Sequence, residues 1–327
     1  MLIAGDIGGT KTLLSCYQKD DLRTSLYKKR YPCKGFGSLE EIIKVFIEEF
    51  NIDPTISKAC FALAGPIKNG HCTITNLPWE MEEPSIQSEF GFQKVKFIND
   101  FEAVGYGIQV LNDDEFITLN KGEETKEGTI AVLGAGTGLG EAYMNFSQEQ
   151  NRYIVYPTEG GHSSFSPHNE LEIHFLQYLM TKEEHVSFEG ILAGKGLVKM
   201  YSFLKESGRF TESEKINEEM KTNDSAAVIS QYGLNNEDKL CEEALDLFAS
   251  IYGVESSNLA LKFFALGGVY LAGGISPKIK EKLLDGTFMK SFLHKGKFRD
   301  FLTKIPVKIV MNEESGLIGA TYIASKL

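Results

Sequence analysis

Segments with helical and with strand-like hydrophobic patterns alternate along the first part of the chain. The run Leu39–Phe50 has apolar residues at helical spacing behind a capping box, residues 38–41, and is predicted to be an amphipathic helix with one buried face. Residues 58–64 and 94–98 are short apolar runs typical of buried strands, and residues 101–110 are predicted to form the next helix. This alternation predicts an α/β fold.

The pattern restarts after Glu115 with strands predicted at residues 116–119 and 129–133, which indicates a second domain built around a related β-hairpin core. Residues 169–266 are predicted to be mostly helical, and the polar stretch 211–225 is predicted to be an exposed connection.

The end of the chain is predicted to add a strand at residues 307–310 and a helix at residues 316–326. The small side chains of this helix would allow it to pack closely on another element.

A glycine turn near the start of the chain has the composition of a phosphate site. An apolar strand runs into Gly5-Asp6-Ile7-Gly8-Gly9-Thr10, where the glycines let backbone N–H groups approach a polyphosphate and Thr10 adds a hydroxyl donor. Asp6 can hold Mg²⁺ through its waters. A carboxylate beside phosphate oxygens is repulsive unless a cation lies between them, so Asp6 favours a metal-nucleotide ligand over a bare anion.

Two common phosphate motifs match the chain only incompletely. A P-loop needs glycine before its Lys-Thr pair, but Thr10 precedes Lys11-Thr12. Residues 134–140 suggest a dinucleotide fingerprint, yet Leu139 takes the place of its last glycine and a strand is predicted to follow. Each glycine loop is therefore predicted to join two strands of a hairpin, and either loop alone could equally be a plain tight turn.

Length, charge and cysteine content exclude several classes of protein. The chain has 327 residues, of which 42% are hydrophobic and 24% charged, as expected of a globular protein with two domains. A formal charge of −11 argues against nucleic acid as a general partner. Every apolar run is shorter than the roughly 20 residues that span a bilayer, and no basic leader opens the chain, so no membrane partner and a cytoplasmic location are expected. The five scattered cysteines are expected to be buried thiols rather than disulfides.

Three glycine loops in a fixed order carry a resemblance to a known superfamily. Gly5-Asp6-Ile7-Gly8-Gly9-Thr10, residues 134–140 and Ala272-Gly273-Gly274-Ile275 together resemble the ATPase domain shared by actin, the 70-kDa heat-shock chaperones and sugar kinases. Within it, the chain resembles the bacterial glucokinases from end to end. The segments that fall where that family has its sugar site are Thr75-Asn76-Leu77-Pro78-Trp79, Phe97-Ile98-Asn99-Asp100-Phe101-Glu102-Ala103, Glu159-Gly160-Gly161-His162 and Glu189-Gly190-Ile191-Leu192-Ala193-Gly194.

The resemblance implies a two-domain, actin-like (ribonuclease H-like) α/β fold with a cleft between its domains. The small domain would hold residues 1–112 plus 312–327 and the large domain residues 113–311, with hinge strands near Leu111 and Met311. The implied activity is ATP-dependent phosphorylation of D-glucose at O6, the first step of glycolysis, with ATP and Mg²⁺ as cofactors. The expected nucleotide contacts are Gly5, Asp6, Ile7, Gly8, Gly9, Thr10, Gly136, Thr137, Gly138, Gly273 and Gly274. Members of this family are often dimers, so a homodimer is a further expectation.

Asp100 is the candidate catalytic base. A sugar kinase must make a poorly nucleophilic hydroxyl attack the γ-phosphorus while a carboxylate accepts its proton, and Asp100 stands at the end of a predicted strand. The structural alternative is that Asp100 simply caps the following helix. The resemblance favours the role of catalytic base for Asp100.

A hexose needs several fixed hydrogen-bonding side chains, because each buried hydroxyl left unpaired costs about 1–3 kcal/mol. Asn99, Glu159, His162 and Glu189 supply such a mixture. In the family that the chain resembles, the matching Asn and Asp lie on the side of O3 and O4, and the Glu and His segment lies toward O1 and O2. Without the resemblance, Glu159 and His162 could be ordinary loop residues. Three further histidines match nothing in the pattern and are expected to be ordinary: His168, His174 and His185.

Glu159-Gly160-Gly161-His162 also opens the zinc motif of the related ROK kinases and repressors, in which a cysteine-rich segment follows. No cysteine occurs between Cys72 and Cys241, so no structural zinc is expected. Lys11 after Thr10 is more typical of ROK proteins than of the glucokinases, which leaves the subfamily, the sugar and the donor open.

Two alternatives to a glucokinase remain open at this point. A non-catalytic sugar sensor on the same fold would need an added helix-turn-helix, for which residues 1–4 leave no room before the first loop. A kinase for mannose or an N-acetylated hexosamine would differ in the room around the sugar 2-position, and ADP or polyphosphate could replace ATP as donor.

Overall fold

The structure is a computed structural model that describes residues 1–74, 77–123 and 125–327, with Ile56 described by its backbone alone. Thr75 and Asn76, which belong to one predicted sugar-site segment, lie outside the described residues. The chain forms two compact units, the first made of Met1–Asp113, Tyr153–Pro157 and Asn312–Leu327 and the second of Asp114–Arg152 and Thr158–Met311. The predicted cleft and hinges stay predictions.

The first unit contains a mixed sheet with helices packed on it. Its elements are β1 (Leu2–Ile7), β2 (Lys11–Gln18), β3 (Asp21–Pro32), α1 (Leu39–Phe50), β4 (Lys58–Leu63), β5 (Ile67–Lys68), β6 (His71–Thr73), β7 (Glu80–Glu82), α2 (Glu83–Phe90), β8 (Lys94–Asn99), α3 (Asp100–Ile108) and, from the end of the chain, α13 (Ser315–Lys326). The sheet has the order β3-β2-β1-β4-β8, and β5, β6 and β7 form a small separate sheet.

The predicted glycine hairpin and the amphipathic helix are both present. β1 and β2 pair antiparallel, while β4 and β8 follow parallel to β1, so Ile7, Leu63 and Asn99 lie side by side at one edge of the sheet. The apolar face of α1 is buried through Ile42, Ile43 and other residues of that face. This edge is where ligands of open α/β sheets bind.

Helix α13 crosses α3 at close range, as its small residues predict. A Cβ atom on Gly319 would overlap the carbonyl oxygen of Ala103, and one on Gly107 would overlap the carbonyl oxygen of Ser315. The two backbones are therefore in direct contact, which only glycine at these positions allows.

The second unit repeats the hairpin core and adds a large helical layer. Its elements are β9 (Phe116–Asn120), β10 (Ile130–Ala135), β11 (Leu139–Ser147), α4 (Glu170–Met180), α5 (Phe188–Ile191), α6 (Gly194–Glu206), α7 (Glu214–Met220), α8 (Ser225–Leu234), α9 (Lys239–Lys262), β13 (Gly268–Ala272), α10 (Lys280–Leu284), α11 (Thr287–Phe292), α12 (Arg299–Thr303) and β14 (Val307–Val310). A further strand, β12 (Arg152–Thr158), lies mostly among the residues of the first unit.

Five strands that lie wholly in the second unit follow one another in the order β11-β10-β13-β14-β9. β10 pairs antiparallel with β11 and parallel with β13, which is the arrangement of β1 with β2 and β4 in the first unit. The predicted relation between the two hairpin cores is thus confirmed.

The prediction that residues 211–225 form an exposed connection is wrong for the middle of this stretch. This stretch contains α7, and Ile216 is only 1% exposed there. Met220, one helical turn later, packs against the same core. Two apolar residues four positions apart are enough to hold one face of a short helix, although the surrounding sequence is polar.

Two smaller features complete the fold. All five cysteines are buried and free, as predicted. Among residues 1–74, 77–123 and 125–327, no helix is both long and apolar enough to cross a membrane.

Candidate active site

Asp6 and Asp100 lie at the same edge of the sheet of the first unit. Asp6 is the penultimate residue of β1, and Asp100 follows β8 directly. Burial, and to a lesser extent the negative charge of Asp100, raise the pKa of Asp6 to about 6 against the opposing effect of the Arg30 guanidinium. The two carboxylates are therefore close enough to repel each other, which suits a site that receives a cation.

The cap of α3 is Asn99 and not Asp100. Asn99 Oδ1 accepts the N–H groups of Phe101 (2.9 Å) and Glu102 (3.1 Å), and Glu102 Oε2 accepts the N–H of Asn99 (3.3 Å) in return. The alternative in which Asp100 caps the helix is thereby corrected, because Asp100 is already the first helical residue. Its Oδ1 accepts the Phe101 N–H at 2.8 Å.

The first glycine loop forms a tight turn held by a cysteine. The N–H of Gly8 donates to the carbonyl of Lys11 (3.0 Å), and the Cys33 N–H donates to the carbonyl of Thr10 (2.9 Å). The Cys33 thiol donates to the carbonyl of Gly8 at 3.3 Å. Cys33 therefore supports the loop, which its isolated position in the sequence did not indicate.

Two residues of this loop that are predicted to contact the nucleotide, Gly5 and Ile7, point into the core of the first unit at their Cβ positions. A Cβ atom on Gly5 would lie 2.7 Å from a carbon of Phe61 and 2.9 Å from one of Leu14, so the packing of β1 requires glycine there. The side chain of Ile7 is fully buried. Any nucleotide contact of these two residues would come from their backbone.

The second and third glycine loops lie together in the second unit. β10 and β13 run parallel with Gly134 beside Ala272, so their loops begin at the same edge of the sheet. The N–H of Ile275 donates to the carbonyl of Ala135 at 3.1 Å. Gly273 has a positive φ of 77° and passes so close that a Cβ atom on it would lie 2.5 Å from that same carbonyl oxygen.

These loops present open backbone. A Cβ atom on Gly136 or on Gly274 would have no atom of the described residues within 4 Å, so a ligand can approach the main chain at both places. Helix α6 begins beside them, since the N–H of Gly194 donates to the carbonyl of Gly136 at 3.2 Å. In the part of the chain that the structure describes, no side chain caps α6, and a helix N-terminus of this kind attracts phosphate. The predicted sugar-site segment at residues 189–194 ends at the start of this helix, but the sequence did not indicate a phosphate-binding helix N-terminus there.

The residues predicted for the sugar site lie close together in the second unit. His162 Nε2 lies 3.8 Å from Glu159 Oε2, and His162 Nδ1 lies 3.9 Å from Glu189 Oε1. Glu189 Oε2 also accepts the N–H of Leu139, at 3.3 Å, from the end of the second glycine loop. Glu159 and His162 are exposed and available to a ligand, with 82% and 61% of their side chains accessible. The predicted histidine-carboxylate group is thus assembled beside a predicted phosphate loop.

A model of the glucokinase family matches residues 3–327. The chain belongs to the glucokinase family. A glucokinase from Nostoc sp. is 40% identical over an alignment that covers 100% of this chain and 99% of the relative. A crystal structure of a glucokinase from an Antarctic psychrotroph has a TM-score of 0.84 and 29% identity, covering 100% of this chain and 99% of that one.

A more distant structure shows the fold alone. A ROK family glucokinase from Streptomyces griseus, solved with glucose and AMPPNP, has a TM-score of 0.64 and 17% identity, covering 100% of this chain and 99% of that one. With these likenesses, the predicted glucokinase family, the actin-like ATPase fold and the assignment as an enzyme are confirmed. The predicted activity, ATP-dependent phosphorylation of glucose, is confirmed as that of the family.

The residues of this glucokinase-family chain fit a nucleotide with its metal. Asp6 offers a carboxylate at the first loop, and Gly136 and Gly274 offer backbone with open space in front of it. Among the residues that the structure describes, no cluster of three or more His, Cys, Asp or Glu side chains could hold a metal ion by itself. A cation at Asp6 would therefore need oxygen ligands from the nucleotide and from water.

Proposed function

We propose that Asp100 is the general base that accepts the proton of the glucose 6-hydroxyl as this oxygen attacks the γ-phosphorus of ATP. The observation that carries this proposal is the assignment of the cap: Asn99 caps α3, so the helix does not need the Asp100 carboxylate as its N-cap. Asp100 stands at the edge of the sheet where ligands of α/β folds bind.

The nucleotide is bound by the three glycine loops in this proposal. Asp6 holds Mg²⁺ through water at the first loop, and the backbone at Gly136 and Gly274 contacts the nucleotide. A Mg²⁺ ion held there would supply positive charge to the phosphate oxygens. The positive charge of Arg30, which opposes the rise in the pKa of Asp6, favours the ionised form of Asp6 that this role requires.

The proposed contacts of glucose are Asn99, Glu159, His162 and Glu189. Asn99 uses Oδ1 for the cap, which leaves its amino group Nδ2 to donate to a sugar hydroxyl. His162, Glu159 and Glu189 supply further donors and acceptors from the second unit. Closure of the predicted cleft would exclude water, so that the sugar rather than water attacks. The proposed location is the cytoplasm, and a homodimer stays a prediction.

The test replaces Asp100 by the isosteric amide. Asp100→Asn should lower kcat by about 10²- to 10⁴-fold, the usual contribution of a general base. Its thermal unfolding should not move to lower temperature, because the Asn99 cap is intact and the repulsion between residue 100 and Asp6 is removed. Exposed Asp20→Asn, in the same unit, is the matched control for loss of one negative charge and should keep normal turnover.

Near-normal kcat in Asp100→Asn would refute the assignment of Asp100 as the general base. A panel of glucose, mannose and N-acetylglucosamine with ATP, ADP and polyphosphate, assayed on the unchanged protein, tests the sugar and the donor. The proposal requires the highest kcat/KM with glucose and ATP.

A further inference from the structure

Glu141 is a buried acid that the proposed mechanism does not use. It lies on β11, two residues after Leu139, and is 1% exposed. Its Oε1 atom is buried with no hydrogen-bond partner among the described residues. An ionised carboxylate in such a position would be strongly destabilised, whereas a neutral carboxylic acid is tolerated.

The charged groups around Glu141 come from helix α9. Glu255 on this helix is fully buried, its Oε2 accepts the amide of Asn258 at 2.8 Å, and its Oε1 lies 3.6 Å from Lys262 Nζ. Burial, and to a lesser extent the negative charge of Glu255, raise the pKa of Glu141 to about 8 against the opposing effect of Lys262. The hydroxyl of Tyr252, on the same helix, is within electrostatic range of Glu141 and is neutral, because burial raises its pKa.

The turn that carries Glu159 and His162 rests directly on Glu141. A Cβ atom on Gly160 would overlap Glu141 Oε2, so the backbone of the turn touches the carboxyl group. The Thr158 hydroxyl donates to the Glu141 carbonyl at 3.2 Å, and the N–H of Gly160 donates to Thr158 Oγ1 at 3.1 Å. The other glycine of the turn, Gly161, is packed in the same way on the carbonyl of Leu139.

We propose that Glu141 is a positioning residue for the sugar site, which holds the Glu159–His162 turn in its binding geometry while its carboxyl group is neutral and releases it on ionisation. This inference rests on the proposed role of Glu159 and His162 in binding glucose. Ionisation puts a second negative charge next to Glu255, and the carboxylate then needs water. The turn is the exposed side of this cluster, so it is the part that moves to admit water.

The expected signature is a KM for glucose that rises with pH while kcat changes little. If the turn binds glucose only while Glu141 is neutral, the KM for glucose should be about tenfold higher at pH 9 than at pH 7, because Glu141 ionises near pH 8. Glu141→Gln keeps the shape and cannot ionise, so its KM should stay flat over this range. A flat KM in the unchanged protein, or the same rise in Glu141→Gln, would overturn the proposal.

Two further variants keep the test decisive. Glu255→Gln removes the neighbouring negative charge, so the rise in KM should move to lower pH, and an unmoved or higher midpoint would overturn the proposal even if Glu141→Gln does not fold. Glu159→Gln, measured at pH 7, tests the sugar site itself. A normal KM there would refute the proposed role of the turn, independently of whether KM depends on pH through Glu141.

Discussion

The contact between α13 and α3 predicts that two glycine-to-alanine substitutions on α13 change the free energy of unfolding in opposite directions. At Gly319 a Cβ atom would overlap the carbonyl oxygen of Ala103 and lie 2.7 Å from the nitrogen of Gly107. Both are backbone atoms, so no side-chain rotation can relieve the clash. At Gly316, one turn earlier on the same helix, the nearest atom is 3.7 Å away, an ordinary contact.

The balance of two energies decides each outcome. Alanine is better than glycine in a helix by about 1 kcal/mol, and overpacking a close-packed contact costs about 1–3 kcal/mol or more. Gly316→Ala should therefore raise the free energy of unfolding of the first unit by up to about 1 kcal/mol. Gly319→Ala should lower it by about 2 kcal/mol, because an overlap with backbone atoms puts the overpacking cost at the upper end of this range and the helix gain offsets only part of it.

Trp79 provides the assay. It is the one tryptophan of the chain, it lies in the first unit and it is 2% exposed. Urea unfolding followed by its fluorescence therefore reports this unit. Because α3 begins at Asp100, Gly319→Ala should also lower kcat, whereas Gly316→Ala should not. Equal effects of the two substitutions, or a stabilised Gly319→Ala, would refute the close crossing of the helices.

Two other predictions concern buried carboxyl groups. Between pH 4.5 and about 8 the folded protein keeps a proton on Glu141 that the unfolded chain releases, so the free energy of unfolding should fall as pH rises through this window, with a shallower slope in Glu141→Gln. Denaturant unfolding at several pH values measures this, and identical slopes would contradict it. Asp6→Asn should abolish phosphoryl transfer and at pH 7 raise the free energy of unfolding by up to about 3 kcal/mol, since the pKa of Asp6 moves from 3.8 to about 6 on folding. Retained turnover in Asp6→Asn would refute the proposed role of Asp6 in the reaction. A lower free energy of unfolding in this variant would refute the raised pKa of Asp6 in the folded protein.

The parts of the fold that depend on local chemistry could be predicted from the sequence. Both glycine hairpins follow from short apolar runs on either side of a glycine turn, and the helix Leu39–Phe50 follows from its spacing and cap. Asn99 and Asp100 are equally good capping residues, so only the backbone geometry decides that Asn99 caps α3. The polar residues around Ile216 similarly hid the short helix α7.

Contacts between distant parts of the chain could not be predicted in this way. Arg30 faces Asp6 across the sheet, and Cys33 holds the first glycine loop, yet neither has a local pattern that marks it. Glu141 looks like an ordinary polar residue of an alternating strand. Its burial becomes visible only when α9, more than a hundred positions later in the chain, is placed against it.

The place of α13 in the first unit also has a consequence for synthesis of the protein. This helix packs against α3, β1 and β4, but it is translated after the whole second unit. Until then the sheet of the first unit lacks the helix that covers part of one face, and the apolar residues beneath it remain exposed. The second unit can thus fold during translation, whereas the first unit cannot complete its fold until α13 has been made. A chain released before that point would expose an apolar surface to chaperones and proteases.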